Sequence, residues 1–300
     1  MKLNYIDIHS HLNLSPLYEK RDEIINNMKA LAIGTITVGT SLETSQRAVQ
    51  IAEQYPELCS ATVGIHPCDC EKNNHETIDD TQWNQICMLA EHPSVVAIGE
   101  TGLDYWHHDT PELRMLQTEV FKKHIELAIS VNKPLMLHVR SSRGSDDAYY
   151  DALDILSEYQ GATPSPAKGR VGVGFENNNK TPSVLRTSPP SQGANIRANF
   201  HFFSGSTECM QTIISAGYTV SVDGPITFVF DYDDMIKQCP IESLMIETDA
   251  PYAAPKPYRG KTCDPTMVIH VAERIAELKN LPLETIRLQL LENTKNFFGI

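Results

Sequence analysis

The stretch that decides the fold is VVAIGETGLD, residues 95–104. Its first four residues are apolar without alternation, which is typical of a parallel strand buried on both faces. Gly99 and Glu100 follow this run, and Gly102 comes two residues later. We therefore expect the strand to end at Glu100 and to open into a loop. In a barrel of parallel strands, that end of each strand faces the active site.

Seven more apolar segments have the length of strands. They cover residues 5–8, 34–38, 60–65, 134–137, 198–200, 218–222 and 244–246. Helices are predicted over residues 19–31, 41–54, 81–91, 110–130, 146–159, 264–278 and 283–298. Eight strands that alternate with helices favour an α/β fold of the (β/α)8, or TIM, barrel type over an open doubly wound sheet. No GxGxxG follows the first strand, so a dinucleotide site is not expected.

Residues 161–197 interrupt this pattern. The segment is rich in Gly, Pro, Ser and Asn, and it is basic inside an acidic chain. This composition predicts a flexible insertion between the fifth helix and the sixth strand of a single domain, residues 1–300. The roots of such an insertion lie on the barrel face opposite the active site, which favours a tolerated surface loop.

The net charge and the cysteines limit the classes of function that the sequence permits. The net charge of −13 argues against a broad basic surface for nucleic acid, although a local cleft that binds phosphate is compatible with it. Seven cysteines without a CxxC pair indicate reduced thiols in a cytoplasmic protein. Cys68 and Cys70 are ligand types for a metal, but two free thiols are the simpler interpretation. No signal peptide and no apolar run of membrane-spanning length is recognised.

Six of the predicted strands end in a histidine or a carboxylate. A histidine alone is more often structural, but in a barrel these ends converge on one face. Two residues apart on a strand, His9 and His11 share a face. Imidazole and carboxylate ligands without thiolates suit Mg²⁺, Mn²⁺ or Zn²⁺. The predicted metal ligands and site residues at strand ends are His9, His11, His66, Glu100, His138, His201 and Asp249. The other histidines fall in predicted helices or loops and are set aside: His75, His92, His107, His108, His124 and His270.

Six short motifs resemble those of the TatD family of metal-dependent deoxyribonucleases, within the amidohydrolase-like barrels. They are DIHSHL (7–12), GIHP (64–67), GETGLDY (99–105), PLMLHVR (134–140), FHFFSG (200–205) and ETDAPY (247–252). RGK (259–261) follows as in the family, and the resemblance covers the chain except for the insertion. Two departures are Asn13, where the family often has Asp, and TCDP at 262–265.

The resemblance implies two divalent ions, with Mg²⁺ expected and Mn²⁺ or Zn²⁺ as alternatives. One ion would be held by His9, His11, Glu100 and Asp249, and the other by Glu100, His138 and His201. Glu100 would bridge the ions, and Asp249 would act as the general base. The implied substrate contacts are His66, Arg140 and Arg259. The implied reaction is 3′→5′ exonucleolytic cleavage of DNA, with single strands preferred, by a protein that we expect to be a monomer without a membrane partner.

Two other functions remain open from the sequence. The same metal pair could polarise the carbonyl of an ester or amide, such as an aminoacyl-tRNA ester or a cyclic amide. Relatives that hydrolyse cyclic amides often carry a carboxylated lysine as the bridge, so Glu100 favours the nuclease. A barrel that only binds partners is the third candidate, and it would lack ligands, whereas none is missing here.

Overall fold

The computed structural model describes residues 1–73, 79–107, 109–160 and 196–300. Eight strands form one sheet in chain order, and each pairs in parallel with the next. They are β1 (Tyr5–Ser10), β2 (Ile33–Val38), β3 (Cys59–Val63), β4 (Val95–Asp104), β5 (Leu135–Arg140), β6 (Ala198–His201), β7 (Thr219–Val222) and β8 (Leu244–Ile246). A bridge between Ser10 and Ala250 joins the last strand end to the first, so the sheet is a nearly closed barrel. The predicted (β/α)8 barrel is confirmed.

The helices of the described residues cover the outside of the barrel. They are α1 (Arg21–Leu31), α2 (Leu42–Gln54), α3 (Asp80–Ala90), α4 (Pro111–Val131), α5 (Asp147–Tyr159), α6 (Thr207–Ser215), α7 (Asp233–Gln238), α8 (Val268–Lys279) and α9 (Leu283–Phe298). The sequence patterns missed α6 and α7, which have 9 and 6 residues and are too short to show a clear helical period. None of the described helices is long and apolar enough to cross a membrane.

Capping side chains begin two of the longer helices. Ser41 accepts a hydrogen bond from the Thr44 N–H and forms a capping box at the start of α2. Thr110 accepts one from the Leu113 N–H, with Pro111 in the first turn of α4. These side chains satisfy N–H groups that have no partner inside the helix.

Strand β4 is longer than the sequence suggested. The prediction that it ends at Glu100 is wrong, because it continues to Asp104 and pairs with β5 on both sides of a register shift between Ile98 and Thr101. Gly99 was interpreted as a loop signal, but its φ is +143° and an added Cβ would lie 2.2 Å from the carbonyl oxygen of Met136. The glycine therefore permits close approach to β5, and it turns Glu100 into the barrel mouth without ending the strand.

A small apolar cluster fills the barrel interior. It contains side chains of β1, β2, β4, β5 and β8, together with Leu291 and Phe298 of α9. Several of these strands are not adjacent in the sheet, so their side chains meet across the barrel. A larger cluster packs the outer faces of the strands against the helices. Together these layers hold the strand ends, where the candidate site residues lie.

Most of the predicted insertion, residues 161–195, lies outside the described residues. Its last two residues pack against the barrel. Ile196 is 9% exposed, and the Arg197 guanidinium donates to the carbonyl oxygens of Phe297, at 2.6 Å, and Asn132, at 3.4 Å. Arg197, which directly precedes β6, is thus fixed against the barrel by these two bonds.

His124 connects α4 to the segment that follows β3. Its Nδ1 donates to the carbonyl oxygen of Val120 at 2.8 Å, and its Nε2 accepts a hydrogen bond from the Ile65 N–H at 3.1 Å. Ile65 directly precedes His66, so this buried imidazole fixes the backbone next to a candidate site residue. Burial lowers the pKa of His124 to about 4.

We expect His124 to make the stability of the fold depend on pH. The imidazole of His124 is protonated below pH ~6.5 in the unfolded chain, but only below about pH 4 in the folded protein. The free energy of unfolding is therefore highest above pH ~6.5 and decreases as the pH falls from ~6.5 to about 4. Between pH 7.5 and 5, wild type should lose about 2 kcal/mol more than H124Q, whose amide keeps a donor and an acceptor but does not titrate. Urea unfolding at both pH values measures the difference, and equal losses in the two proteins would contradict the assignment.

Candidate metal centre

The structure brings the predicted strand-end ligands together around Glu100. This side chain is 3% exposed, and its two carboxylate oxygens face different groups of imidazoles. Oε2 lies 3.4 Å from Nε2 of His9 and 3.9 Å from Nε2 of His11. Oε1 lies 2.9 Å from both Nδ1 of His138 and Nε2 of His201.

The Oε2 side of Glu100 has the spacing of a coordination shell. Nε2 of His9 and Nε2 of His11 are 3.3 Å apart, and Oδ1 of Asp249 lies 3.3 Å from His11 and 3.7 Å from His9. Nitrogen and oxygen ligands at 2.0–2.2 Å from one ion stand roughly 3–3.5 Å from each other. Two carboxylates and two imidazole nitrogens that converge in this way fit a divalent cation.

The Oε1 side of Glu100 gathers three imidazoles. His66 joins His138 and His201 here, with Nε2 at 3.4 Å from Oε1. His66, Glu100 and His138 offer ligand atoms within 4.8 Å of one another. This side therefore also fits a cation. His66, predicted as a substrate contact, faces the same oxygen from 3.4 Å, farther than the predicted ligands His138 and His201 at 2.9 Å.

Carboxylates that the sequence reasoning missed orient two of these imidazoles. Nε2 of His138 lies 3.0 Å from Oδ2 of Asp104, and Nδ1 of His201 lies 3.4 Å from Oε1 of Glu247. Such carboxylate–histidine pairs set the tautomer and the ring orientation of metal ligands. Both acids lie inside the recognised motifs. The search for ligands at strand ends identifies the side chains that meet at the centre, but not the carboxylates that orient those side chains.

Glu247 and Asp7 also connect neighbouring strand ends. The Phe202 N–H and the Ser221 hydroxyl donate to Glu247, at 2.5 and 2.8 Å. Asp7 accepts from the N–H and the hydroxyl of Thr248, at 2.9 and 2.7 Å, and from the His9 N–H at 3.2 Å. In the sequence, Asp7 is recognisable as a charged residue inside the apolar first strand, which indicates a role for it.

Backbone carbonyl groups orient His11 and explain Asn13. Nδ1 of His11 donates to the carbonyl oxygen of Val38 at 3.3 Å, which leaves Nε2 for the centre. The Asn13 amide donates to the same oxygen at 2.9 Å and to that of Thr44 at 2.8 Å. An aspartate could not donate these bonds, so this departure from the family pattern has a structural role in this chain.

The surrounding imidazoles keep the two central carboxyl groups ionised. Burial acts to raise the pKa of Glu100, but His66, His201 and His9 hold this pKa well below its usual range. Burial acts on Asp249 in the same direction, and His11 and His9 bring its pKa below the usual value. Burial, reinforced by His201, lowers the pKa of His9 and favours a neutral ring with a free lone pair. Burial acts to lower the pKa of His11, His138 and His201, but the neighbouring carboxylates raise it, so a cation that binds here would displace the protons that these rings otherwise hold.

A cavity of about 530 Å³ opens above these residues. It is lined by His66 and Arg140, two of the three predicted substrate contacts, and by Asp249 and Tyr252. The Arg140 guanidinium carbon lies 5.0 Å from the ring centre of Trp106. The third predicted contact, Arg259, is exposed, stacks 4.3 Å above the Phe228 ring and does not line this cavity.

The histidines that were set aside have different surroundings. His92 and His270 pair with the glutamates Glu53 and Glu273 on the helical surface. His107 contacts Asp104, so it lies closer to the centre than its place in the sequence suggested. His75 and His108 lie outside the described residues.

Comparisons with known proteins show which family the chain is similar to. The family model described as TatD related DNase matches residues 6–299. The chain is 34% identical to the uncharacterized metal-dependent hydrolase YabD of Bacillus subtilis, over 98% of both chains. It is 31% identical to an uncharacterized metal-dependent hydrolase of Mycoplasma pneumoniae, over 99% of this chain and 100% of the relative.

Solved structures show the same fold. The crystal structure of the TatD homolog YJJV from Escherichia coli has a TM-score of 0.77 at 24% identity, with both chains covered completely. A TatD family hydrolase from Entamoeba histolytica has the same TM-score at 20% identity, over 99% of both chains. With its barrel, its histidine and carboxylate centre and a family match along almost the whole sequence, this chain belongs to the TatD family of metal-dependent hydrolases.

Proposed function

We propose that the protein is a divalent-metal-dependent phosphodiesterase that removes nucleotides from the 3′ end of single-stranded DNA with two ions, Mg²⁺ by preference and Mn²⁺ or Zn²⁺ as alternatives. The observation that carries this proposal is the placement of Glu100. Each of its carboxylate oxygens faces a separate set of donors, as expected of a side chain that bridges two cations.

His9, His11, Glu100 and Asp249 would hold the first ion, and Glu100, His138 and His201 the second. Bound there, the pair would lower the pKa of water and stabilise negative charge on the scissile phosphate. The protein supplies the positions of the ligands. Asp104 and Glu247 keep the rings of His138 and His201 in the orientation that the centre needs.

Asp249 is the general base of this proposal. Its side chain is 14% exposed and lines the cavity, so a water molecule there is within its reach. His11 and His9 keep it ionised, hence it can accept a proton from that water. Glu100 is more deeply buried and surrounded by imidazoles, which suits a ligand better than a base.

The cavity wall suits a nucleotide. Arg140 offers N–H donors and positive charge for phosphate oxygens, and His66, whose pKa burial lowers, offers the N–H of a neutral ring. Tyr252 lines the cavity and is 57% exposed, and Trp106, beneath Arg140, is 48% exposed. Exposed aromatic rings stack on unpaired bases, which favours a single strand. With a net charge of −13, we expect these local contacts and not a broad basic surface to hold the substrate.

We place this activity in the cytoplasm, since all seven cysteines are free, as in a reducing compartment. The monomeric state stays a prediction.

An assay with end-labelled DNA tests the reaction directly. With Mg²⁺, Mn²⁺ or Zn²⁺ added to chelator-treated protein, 5′-labelled single strands should shorten to a ladder, while 3′-labelled strands should release labelled mononucleotide first. Chelator alone should stop both. An aminoacyl ester assayed in parallel should stay intact. Ester hydrolysis without DNA cleavage would overturn the proposal.

In the same assay, Glu100→Gln should lower the rate by on the order of 10³-fold, because the bridging charge is lost. The matched control is Glu242→Gln, on the exposed turn before β8, which should retain the wild-type rate. Circular dichroism checks that both variants fold. A Glu100→Gln rate within a few-fold of wild type would exclude Glu100 as the bridge.

Replacing Arg140 and replacing Arg259 should lower kcat/KM by different amounts. Arg140→Ala removes a cation from the cavity wall and should lower kcat/KM on single-stranded DNA by about 10- to 100-fold, the value of one or two charged hydrogen bonds. Arg259→Ala should have an effect of less than about threefold, since Arg259 stacks on Phe228 away from the cavity lining. Steady-state kinetics of both variants measures this, and the reverse order would place the substrate path over Arg259.

A further inference from the structure

A second cluster of metal-ligand types lies beside the Glu100 centre. Cys68, Asp104 and His107 offer ligand atoms within 4.8 Å of one another. Sγ of Cys68 lies 3.5 Å from Oδ2 of Asp104, and Nδ1 of His107 lies 2.9 Å from the same oxygen. The resemblance to the TatD family assigned no role to Cys68 or His107.

The backbone around this cluster is fixed by hydrogen bonds. Asp104, the last residue of β4, is buried, and its N–H and carbonyl oxygen pair with the side-chain amide of Gln117 on α4, at 2.8 and 3.1 Å. The His107 N–H donates to Oδ1 of Asp104 at 2.8 Å. The Cys68 N–H donates to Nδ1 of His66 at 3.1 Å. Short loops therefore hold Cys68 and His107 next to the buried carboxylate of Asp104.

We propose that Cys68, Asp104 and His107 bind a zinc ion. A thiolate, an imidazole and a carboxylate form a mixed sulfur, nitrogen and oxygen set, which suits Zn²⁺ and is unsuited to Mg²⁺. Zinc ligands at 2.0–2.3 Å in tetrahedral geometry stand roughly 3.5 Å apart. The distance from Sγ to Oδ2 matches this spacing, and the 2.9 Å between Nδ1 of His107 and Oδ2 would lengthen when the ion replaces that hydrogen bond. Three protein ligands leave a fourth position for water, and the thiol proton passes to solvent when the ion binds.

This zinc site shares one residue with the Glu100 centre. Oδ2 of Asp104 also accepts from Nε2 of His138 at 3.0 Å, and Nδ1 of His138 faces Glu100. The two sites therefore lie on opposite sides of one imidazole. The Glu100 centre consists of nitrogen and oxygen donors, so sulfur distinguishes the two sites in a spectrum.

Cobalt(II) titration of the full chain, with zinc competition, tests the proposal. The wild-type protein should develop a near-ultraviolet thiolate-to-cobalt charge-transfer band. The intensity of this band should saturate when one Co²⁺ ion is bound at this site, and the band should disappear when Zn²⁺ is added. Cys68→Ser should lack the band, and His107→Ala should need at least ~10-fold more Co²⁺ for half saturation, since even the loss of an outer partner of a metal ligand costs 10- to 100-fold. Cys87→Ser, a partly exposed cysteine on α3, is the matched control and should retain the band.

Glu100→Gln separates this inference from the proposed function. It should retain the charge-transfer band while it loses DNA cleavage, because the band reports on Cys68 alone. A wild-type titration without the band, or a band of full strength in Cys68→Ser, would overturn the zinc site whatever the nuclease assay gives. Unfolding curves in urea confirm that each variant is folded before titration.

Discussion

The structure depends on one buried negative charge, the carboxylate of Glu100, surrounded by imidazoles from several strands. Removing a carboxylate from water costs several kcal/mol unless opposite charges and hydrogen bonds compensate for it. Here His138 and His201 lie at 2.9 Å on one oxygen, and His9 lies at 3.4 Å from the other. The barrel brings these side chains to one point because parallel strands end on the same face. Metal ions would complete the compensation that the imidazoles begin.

An outer layer of carboxylates supports this arrangement. Asp7 connects β1 to the residues after β8, Glu247 connects those residues to the end of β6, and Asp104 holds the ring of His138 from the end of β4. Each acid therefore makes at least one contact to a different strand or strand end. The centre is thus coupled to closure of the barrel, so residues far apart in sequence set the distance between two ligands.

The fold and the convergence of the central histidines and carboxylates could be predicted from the sequence, because both follow from repetition. Apolar strands alternating with helices predict the barrel, and a histidine or carboxylate after six of the eight strands predicts where ligands meet. Chain-specific contacts could not be predicted in this way. The end of β4 was misplaced because Gly99 resembles a loop residue, whereas it is needed for contact with Met136. The motif that contains Arg259 does not indicate that this side chain packs on Phe228 and is absent from the cavity lining. Asp104 and Glu247 act through other side chains, so residue spacing alone carries no signal for them.

The central claim is that Glu100 bridges two divalent ions. Crystals soaked in Mn²⁺ and measured for anomalous scattering test it most directly. The account predicts two peaks, one between Oε2 of Glu100 and the pair His9 and His11, and one between Oε1 and the pair His138 and His201, each about 2.0–2.3 Å from its oxygen. A single peak, or two peaks of which only one touches Glu100, would contradict it.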